Sequence, residues 1–384
     1  MAMTVRMPSI LSPLALILCA AATGHGFYEI GRGEIFLETR GSVAYESNIF
    51  ENRENTSDVI FRLNPELQYV RRAGRYNVDA YVGAAAQKFM DNDREDSVDL
   101  TAGVSLTSAG ERQAILSPTF RVAFDSRRQA IGEVGVRART DTFSASAGLS
   151  YQHSDRIIIS GSLSGSHTRY SGGGQNLSDT TTLGISEQVT YIQSARIRYF
   201  AGHSLTYSFS SGNDGRGALK PLDNTVFVGV GGQISPKVSG SAQVGYTWRE
   251  FLEGDISSTG SVFASGNLTW QATDRRSYNL TVSRSLGLGV LDQSTETTTV
   301  SAGVNQRLTE KISASAGASH SWQDFTAPGV SRTDRIIRFN TRVSFALTQR
   351  ASASTGYSYT HRTSDDDFVD ASTHRFDVSA SYRF

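Results

Sequence analysis

The sequence predicts an all-β fold: a transmembrane antiparallel up-and-down β-barrel of about 18 strands, with 16 as the alternative count. Three observations lead there. First, apolar and polar residues alternate in short segments from about residue 33 onward, as in Phe376-Asp377-Val378-Ser379-Ala380-Ser381-Tyr382-Arg383-Phe384, and nothing reads as a covering helix layer. A period of two gives each strand one greasy and one wet face, and a closed barrel in lipid lets the greasy face do without a second protein layer. Second, hydrophobic content is only 38% and mean hydropathy is −0.29, as expected when half of every strand faces water. Third, short turns alternate with longer loops, the asymmetry of an outer-membrane barrel.

The chain opens with a targeting segment. Arg6 supplies a positive charge, residues 10–19 are largely apolar, and Ala20-Ala21-Ala22 offers small residues for cleavage after Ala22. Leu18 is too large for Cys19 to serve as a lipoprotein site. Residues 1–22 are thus expected to be a signal peptide, 23–32 a short periplasmic segment and 33–384 the barrel, in the outer membrane of a Gram-negative bacterium with both termini periplasmic. A mature chain cut beyond Cys19, the only cysteine, has no thiol chemistry. The 37 basic and 37 acidic residues balance, so bulk charge does not point to nucleic acid.

Each predicted strand is marked by its apolar face. In the first half the markers are Ile35, Leu37, Val43 and Tyr45; Val59, Phe61 and Leu67; Val78 and Val82; Val98, Leu100 and Val104; Phe120, Val122 and Phe124; Phe143, Leu149 and Tyr151; Ile157, Ile159 and Leu163; Leu183, Ile185 and Val189; and Tyr199, Leu205 and Tyr207. In the second half they are Val226, Val228 and Val230; Val244, Tyr246 and Trp248; Val262, Leu268 and Trp270; Tyr278, Leu280 and Val282; Val300 and Val304; Ile312, Ala316 and Trp322; Ile337, Phe339 and Val343; Tyr357 and Tyr359; and Phe376, Val378 and Tyr382. Short turns are expected around 72–75, 108–112, 153–155, 193–194, 235–237, 273–275, 309–311 and 348–350. Longer loops are expected at 47–58, 90–96, 126–140, 171–178, 210–222, 252–258, 291–296, 323–333 and 362–372. Aromatics gather beside the turns, where interfacial girdles belong.

The wet face is the functional surface. About 18 strands enclose a lumen too wide for side chains to fill, so water enters. Its lining is rich in Ser, Thr, Gly, Asn and Gln, with Arg40, Arg62, Arg121, Arg198, Arg249, Arg307, Arg338, Arg342, Arg375 and Arg383 at the inward parity, against Glu38, Glu66, Asp79, Asp99, Asp125 and Asp377. The arginines either favour anions or brace the wall in ladders with the acids. The 126–140 loop, with Arg127, Arg128 and Arg137, is the candidate constriction. His167, Arg169, His203, Arg284 and His320 break parity onto the lipid face and are not read as catalytic.

Enzyme chemistry finds no footing. His203-Ser204 and His320-Ser321 point to opposite faces of their strands, and no His/Cys cluster has metal-ligand spacing. Asp365-Asp366-Asp367 reads as a solvated acidic loop and Ser171-Gly172-Gly173-Gly174 as a flexible tip without the helix a phosphate loop needs. No cofactor, metal or nucleic acid is expected.

Gly41-Ser42-Val43-Ala44-Tyr45-Glu46-Ser47-Asn48-Ile49-Phe50 resembles the opening of the putative beta-barrel porin 2 family, where an early strand ends in Tyr-Asp-Ser-Asn-Ile/Val-Phe/Tyr; the matching positions are Tyr45, Ser47, Asn48 and Phe50, and Glu46 replaces the usual Asp. The terminal Tyr382 and Phe384 also resemble the C-terminal insertion signal of outer-membrane barrels, which implies the barrel-assembly machinery and outer-membrane lipid as partners. Some members of the family look like exit pores for exopolysaccharide working with a periplasmic export protein. The residues alone support a wide polar pore; the polysaccharide comes from the resemblance. The alternatives are a general or anion-preferring diffusion porin and a surface anchor or adhesin barrel. No loop approaches domain size, against the anchor, and strands that begin near residue 33 leave no room for the plug domain of an iron-complex receptor.

Overall fold

The computed structural model describes residues 28–108, 115–174, 176–211, 218–253, 258–327 and 330–384. The expected signal peptide with Cys19 lies outside them, as do most of the 108–112 turn and parts of the 210–222 and 252–258 loops.

The strands in chain order are β1 (Tyr28–Ile30), β2 (Gly33–Glu46), β3 (Asp58–Arg71), β4 (Tyr76–Phe89), β5 (Ser97–Ser108), β6 (Leu116–Ile131), β7 (Val136–Gln152), β8 (Ile157–Ser171), β9 (Thr180–Ile192) and β10 (Ile197–Ser210). They continue as β11 (Pro221–Ser235), β12 (Val238–Phe251), β13 (Thr259–Thr273), β14 (Arg276–Leu288), β15 (Ser294–Arg307), β16 (Ile312–Ala327), β17 (Val330–Ala346), β18 (Ala351–Ser364) and β19 (Ala371–Arg383). Every neighbour in sequence is an antiparallel neighbour in space, and β19 pairs with β2, so β2 to β19 close into an 18-stranded barrel. The closing register is Phe376 opposite Tyr45, Val378 opposite Val43 and Ser379 opposite Ser42. Closure leaves no edge strand in the ring to recruit another chain.

Alternation decides which way each side chain faces. Val82 is 56% exposed, Leu163 56% and Val378 62%, all on the outward face. Apolar exposure repeated around the whole circumference is untenable in water and is what hydrocarbon requires. The apolar side chains buried by protein instead gather at the long-loop end. One cluster joins Ile49, Ile60 and Phe89. The other joins Ile131, Val134, Ala138, Leu177 and Val290.

Two expectations are corrected. Residues 126–140 are not a loop: β6 runs to Ile131 and β7 starts at Val136, so residues 132–135 alone form the connection. Residues 323–333 are likewise mostly strand, the ends of β16 and β17. Before the barrel, Tyr28–Ile30 pairs with the start of β2, with Tyr28 opposite Ile35. The physical reason for the two corrections is shared: strand that extends past the membrane no longer needs one greasy face, so the period of two fades while the ladder continues.

Candidate functional site

The inward face has two unlike halves. On β8 to β16 it is built from hydroxyl, amide and glycine positions, and the charged residues at that parity are Arg198, Asp223, Arg249 and Arg307. On β17 to β19 and β2 to β6 charges crowd together. Arg342 pairs with Asp377 at 3.1 Å, Arg375 with Glu46 at 2.6 Å and Arg383 with Glu38 at 3.3 Å. Arg62 Nε donates to Gln87 Oε1 at 3.1 Å.

The predicted pore arginines therefore divide. Arg342, Arg375 and Arg383 sit in ladders. Arg249 departs furthest from a free cation: it is 1% exposed, holds Asp223 through a two-pronged pair with its Nε 2.6 Å from Oδ1, and donates to the Gly287 carbonyl at 2.9 Å. Arg40, Arg121, Arg198, Arg307 and Arg338 are exposed at the inward parity and form no ion pair among the described residues. Parity alone could not separate these groups, because pairing depends on which residue the neighbouring strand places opposite.

The β6–β7 hairpin crosses the long-loop mouth. Its tip meets the β14–β15 loop on the far side of the ring, where the Val290 N–H donates to Glu133 Oε1 at 3.0 Å. Arg332 Nη2 on β17 donates to the Glu133 carbonyl at 3.1 Å. Leu177 of the β8–β9 loop and Val290 bury Ile131 and Val134. Nearer the root, Glu95 takes two of the three predicted loop arginines, Arg128 at 2.8 Å and Arg137 at 3.2 Å. Arg137 is buried, lies 4.9 Å over the Phe89 ring and donates to the Ile49 carbonyl at 3.2 Å. Arg127 pairs with Asp125 on its own strand.

The family-like motif holds the crossing hairpin. Ser47 bridges to β19, accepting the His374 N–H at 2.8 Å. Asn48 is fully buried and donates to the Asn52 carbonyl at 2.6 Å and to Asn55 Oδ1 at 3.0 Å, which shapes the loop. Asn52 Nδ2 then donates to the Gly135 carbonyl at 3.0 Å. Gly135 has φ of +66° and a Cβ there would sit 2.8 Å from Asn52 Cβ, so turn and contact both require glycine. Phe50 packs beside Ile49 and Phe89, whereas Tyr45 faces outward. At the other signal, Tyr382 packs on Phe384 with ring centres 4.6 Å apart, and the Phe384 N–H reaches the Leu37 carbonyl at 2.8 Å.

Enclosure changes the acids of this mouth. Burial pushes the Glu133 carboxyl up to about 7, against the lowering effect of the Val290 N–H, Arg332 and Arg362. Burial also raises Glu51, with Glu46 adding to it and Arg362, Arg338 and Arg137 opposing. Just beneath, Arg332 and Arg362 both hold the fully buried Asp334 at 3.0 Å.

Most parity-breaking polar residues have partners. His203 meets Glu187 at 3.3 Å and Asn224 at 2.9 Å. Arg284 pairs with Glu296, His167 meets Thr181 at 2.8 Å, His320 stacks on Trp322, and Arg169 lies opposite Asp141. Among the described residues no group of three His, Cys, Asp or Glu could hold a metal. In the acidic loop Asp365 accepts the Thr333 N–H at 3.0 Å and Asp366 the Phe368 N–H at 3.0 Å, which are loop-shaping contacts.

A closed 18-stranded barrel with an apolar exterior and a hydrated, charged interior is an outer-membrane porin-like protein. The chain belongs to the putative beta-barrel porin 2 family, whose model matches residues 34–384. Among solved structures it is similar to OccAB2 of Acinetobacter baumannii, at 9% identity and a TM-score of 0.51 over 92% of this chain and 98% of that one. It is also similar to OpdO of Pseudomonas aeruginosa, at 9% identity and a TM-score of 0.50 over 92% and 98%. The FrpB iron transporter of Neisseria meningitidis matches at 8% identity and a TM-score of 0.47 over 85% of this chain, which spans 62% of that longer protein. No curated protein matches the chain.

Proposed function

We propose that this barrel is a gated channel through the outer membrane, that its cargo is exopolysaccharide on the way out of the cell, and that the β6–β7 hairpin must leave the mouth for passage. The observation that carries the gate is the chain of contacts from Asn48 through Asn52 to Gly135, together with the Val290 and Arg332 contacts to Glu133. A hydrated polymer suits a wall of hydroxyls and amides, which exchange hydrogen bonds without holding any one of them. In this reading the short turns and both termini are periplasmic, residues 1–22 are removed on export, Tyr382 and Phe384 engage the assembly machinery, and a periplasmic export protein docks at the short-turn end.

The second reading is an anion-preferring diffusion porin, favoured by the unpaired Arg40, Arg121, Arg198, Arg307 and Arg338. Single-channel recording of the refolded mature protein in planar bilayers, with and without an anionic polysaccharide, separates the two. The export reading expects infrequent openings of large conductance that the polymer blocks. A steady anion-selective current indifferent to the polymer supports the porin. No current from the protein, even with the hairpin removed, rejects both in favour of an anchor.

A further inference from the structure

The neutral half of the wall carries a feature that neither ion conduction nor gating uses. Phe200 on β10, Phe227 on β11 and Phe263 on β13 sit at the inward parity, among residues that are otherwise small or hydrogen-bonding. Their rings form a continuous run, with centres 6.5 Å apart between Phe200 and Phe227 and 6.0 Å between Phe227 and Phe263. They are half-buried, and glycine explains how they lie. Phe200 is opposite Gly229 and Phe227 is opposite Gly202. A Cβ at Gly202 would stand 2.5 Å from Phe227 Cζ, and one at Gly229 would run into the Phe200 ring. Phe200 and Phe227 therefore pack over bare backbone and turn their other side to the lumen. Phe200 is close to the short-turn end, where β10 begins at Ile197, and the run leads away from it toward the loops.

Covering glycines with aromatics is by itself a way of stabilising a sheet. The setting argues for more. Gln243, Ser265 and Thr225 share this stretch of wall, and Asn267 donates to Ser241 at 2.7 Å beside it. A run of tilted rings, their planes 67° and 53° apart, presents apolar faces and edges with hydrogen-bonding groups along its sides, and it matches one ligand chemistry: a pyranose ring, whose faces are C–H surfaces and whose rim is hydroxyl. We propose that Phe200, Phe227 and Phe263 form a saccharide-binding track on the uncharged side of the lumen. The proposal rests on the channel reading and adds that the cargo is gripped through neutral ring faces, away from the arginines.

The test is calorimetric titration of the refolded mature protein with two neutral probes, maltohexaose and cellohexaose, alongside conductance recording on the same preparations. The unsubstituted mature protein is expected to bind at least one probe. Phe227→Leu, which still covers Gly202 but has no flat ring, should weaken binding about tenfold, a stacking contact's worth; the triple leucine variant should abolish it. Val228→Leu on the outward face should leave it unchanged. Failure of both probes to bind overturns the track, as does a triple leucine variant that binds as tightly as the parent. Conductance without saccharide binding refutes the track and leaves the channel standing; binding without conductance does the reverse.

Discussion

The two halves of the wall hold the hairpin by different physics. On the charged side its grip is electrostatic and directional: Arg137 and Arg128 on Glu95, Asn52 on the Gly135 carbonyl, Arg332 on the Glu133 carbonyl. On the neutral side it is an apolar seat, Leu177 and Val290 against Ile131 and Val134, with one backbone N–H aimed at Glu133. Ion pairs and hydrogen bonds fix where the hairpin sits, whereas apolar contact contributes free energy with little demand on angle. A gate held both ways can be released from either side, and the two releases answer to different conditions.

The largest effect should come from removing what is held. Replacing residues 127–140 with Asn-Gly closes the hairpin at the Ser126–Asp141 pair with a turn suited to a two-residue connection. Single-channel conductance should rise severalfold and gating should vanish; an unchanged conductance would mean that the hairpin does not obstruct the pore.

The next comparison is between the two grips. Asn52→Ala leaves the Gly135 carbonyl without its donor, and Leu177→Ala hollows the apolar seat. Asn52→Ala should destabilise the closed state by about 1–3 kcal/mol and Leu177→Ala by about 2–5 kcal/mol, both seen as more frequent openings. Raised salt should weaken the grip that remains in Leu177→Ala more than the one that remains in Glu95→Gln, which lacks the charged pairs to Arg128 and Arg137, because salt screens charge and strengthens apolar burial little at moderate concentration. Equal salt responses would break the comparison.

Acidity acts at the point where the two sides meet. Glu133 is raised in the closed state, so closure binds its proton more tightly than the open state does. The contribution to closure is complete below the ordinary carboxylate range and is lost as pH rises through about 7. Arg332, Arg362, Asp334 and Tyr170 face the same carboxyl and set the size of the effect, on the order of 3 kcal/mol. Open probability should therefore climb between about pH 5 and pH 7. Glu133→Gln should flatten the profile, and a profile as steep as the parent's would place the titration elsewhere.

The smallest effects are on ion selectivity. Changing Arg40, Arg121 and Arg198 together to Gln should shift the reversal potential toward cations, most visibly at low salt. Arg249→Gln should leave selectivity alone while costing about 3–5 kcal/mol of stability, since it strands Asp223. Thermal unfolding and reversal potentials measured on both variants check the division between free and paired arginines.

Much of this was legible in the sequence, for identifiable reasons. The strand number and the two faces follow from alternation, because lipid on one side and water on the other impose a period of two on every strand that crosses. The hairpin was hidden where that constraint lapses. Arg127 and Arg128, then Arg137 and Arg139, put charge at both parities, which reads as loop although the ladder continues through Gln129 opposite Ala138. Asn48 stood out by family likeness, yet its partner Asn52 and the Gly135 contact join positions 83 residues apart and leave no local mark. The phenylalanine run was missed because its members lie on separate strands; the available signal was Phe at the inward parity with glycine at the inward parity of the neighbour.

The pairing of β19 with β2 carries a consequence for how the molecule comes into being. Ala44 lies opposite Asp377, so the contact that seals the ring joins the most distant parts of the barrel sequence. Loop-closure entropy must be overcome for that contact before it can return anything, and topologies dominated by such contacts assemble slowly. Until the last strand docks, β2 and β18 each present a bare row of N–H and C=O groups. A chain cut short within β19 would keep both rows open, and hydrocarbon does not tolerate unpaired backbone. Such a chain would have no smaller barrel to settle into, so its fate is aggregation or degradation rather than partial function.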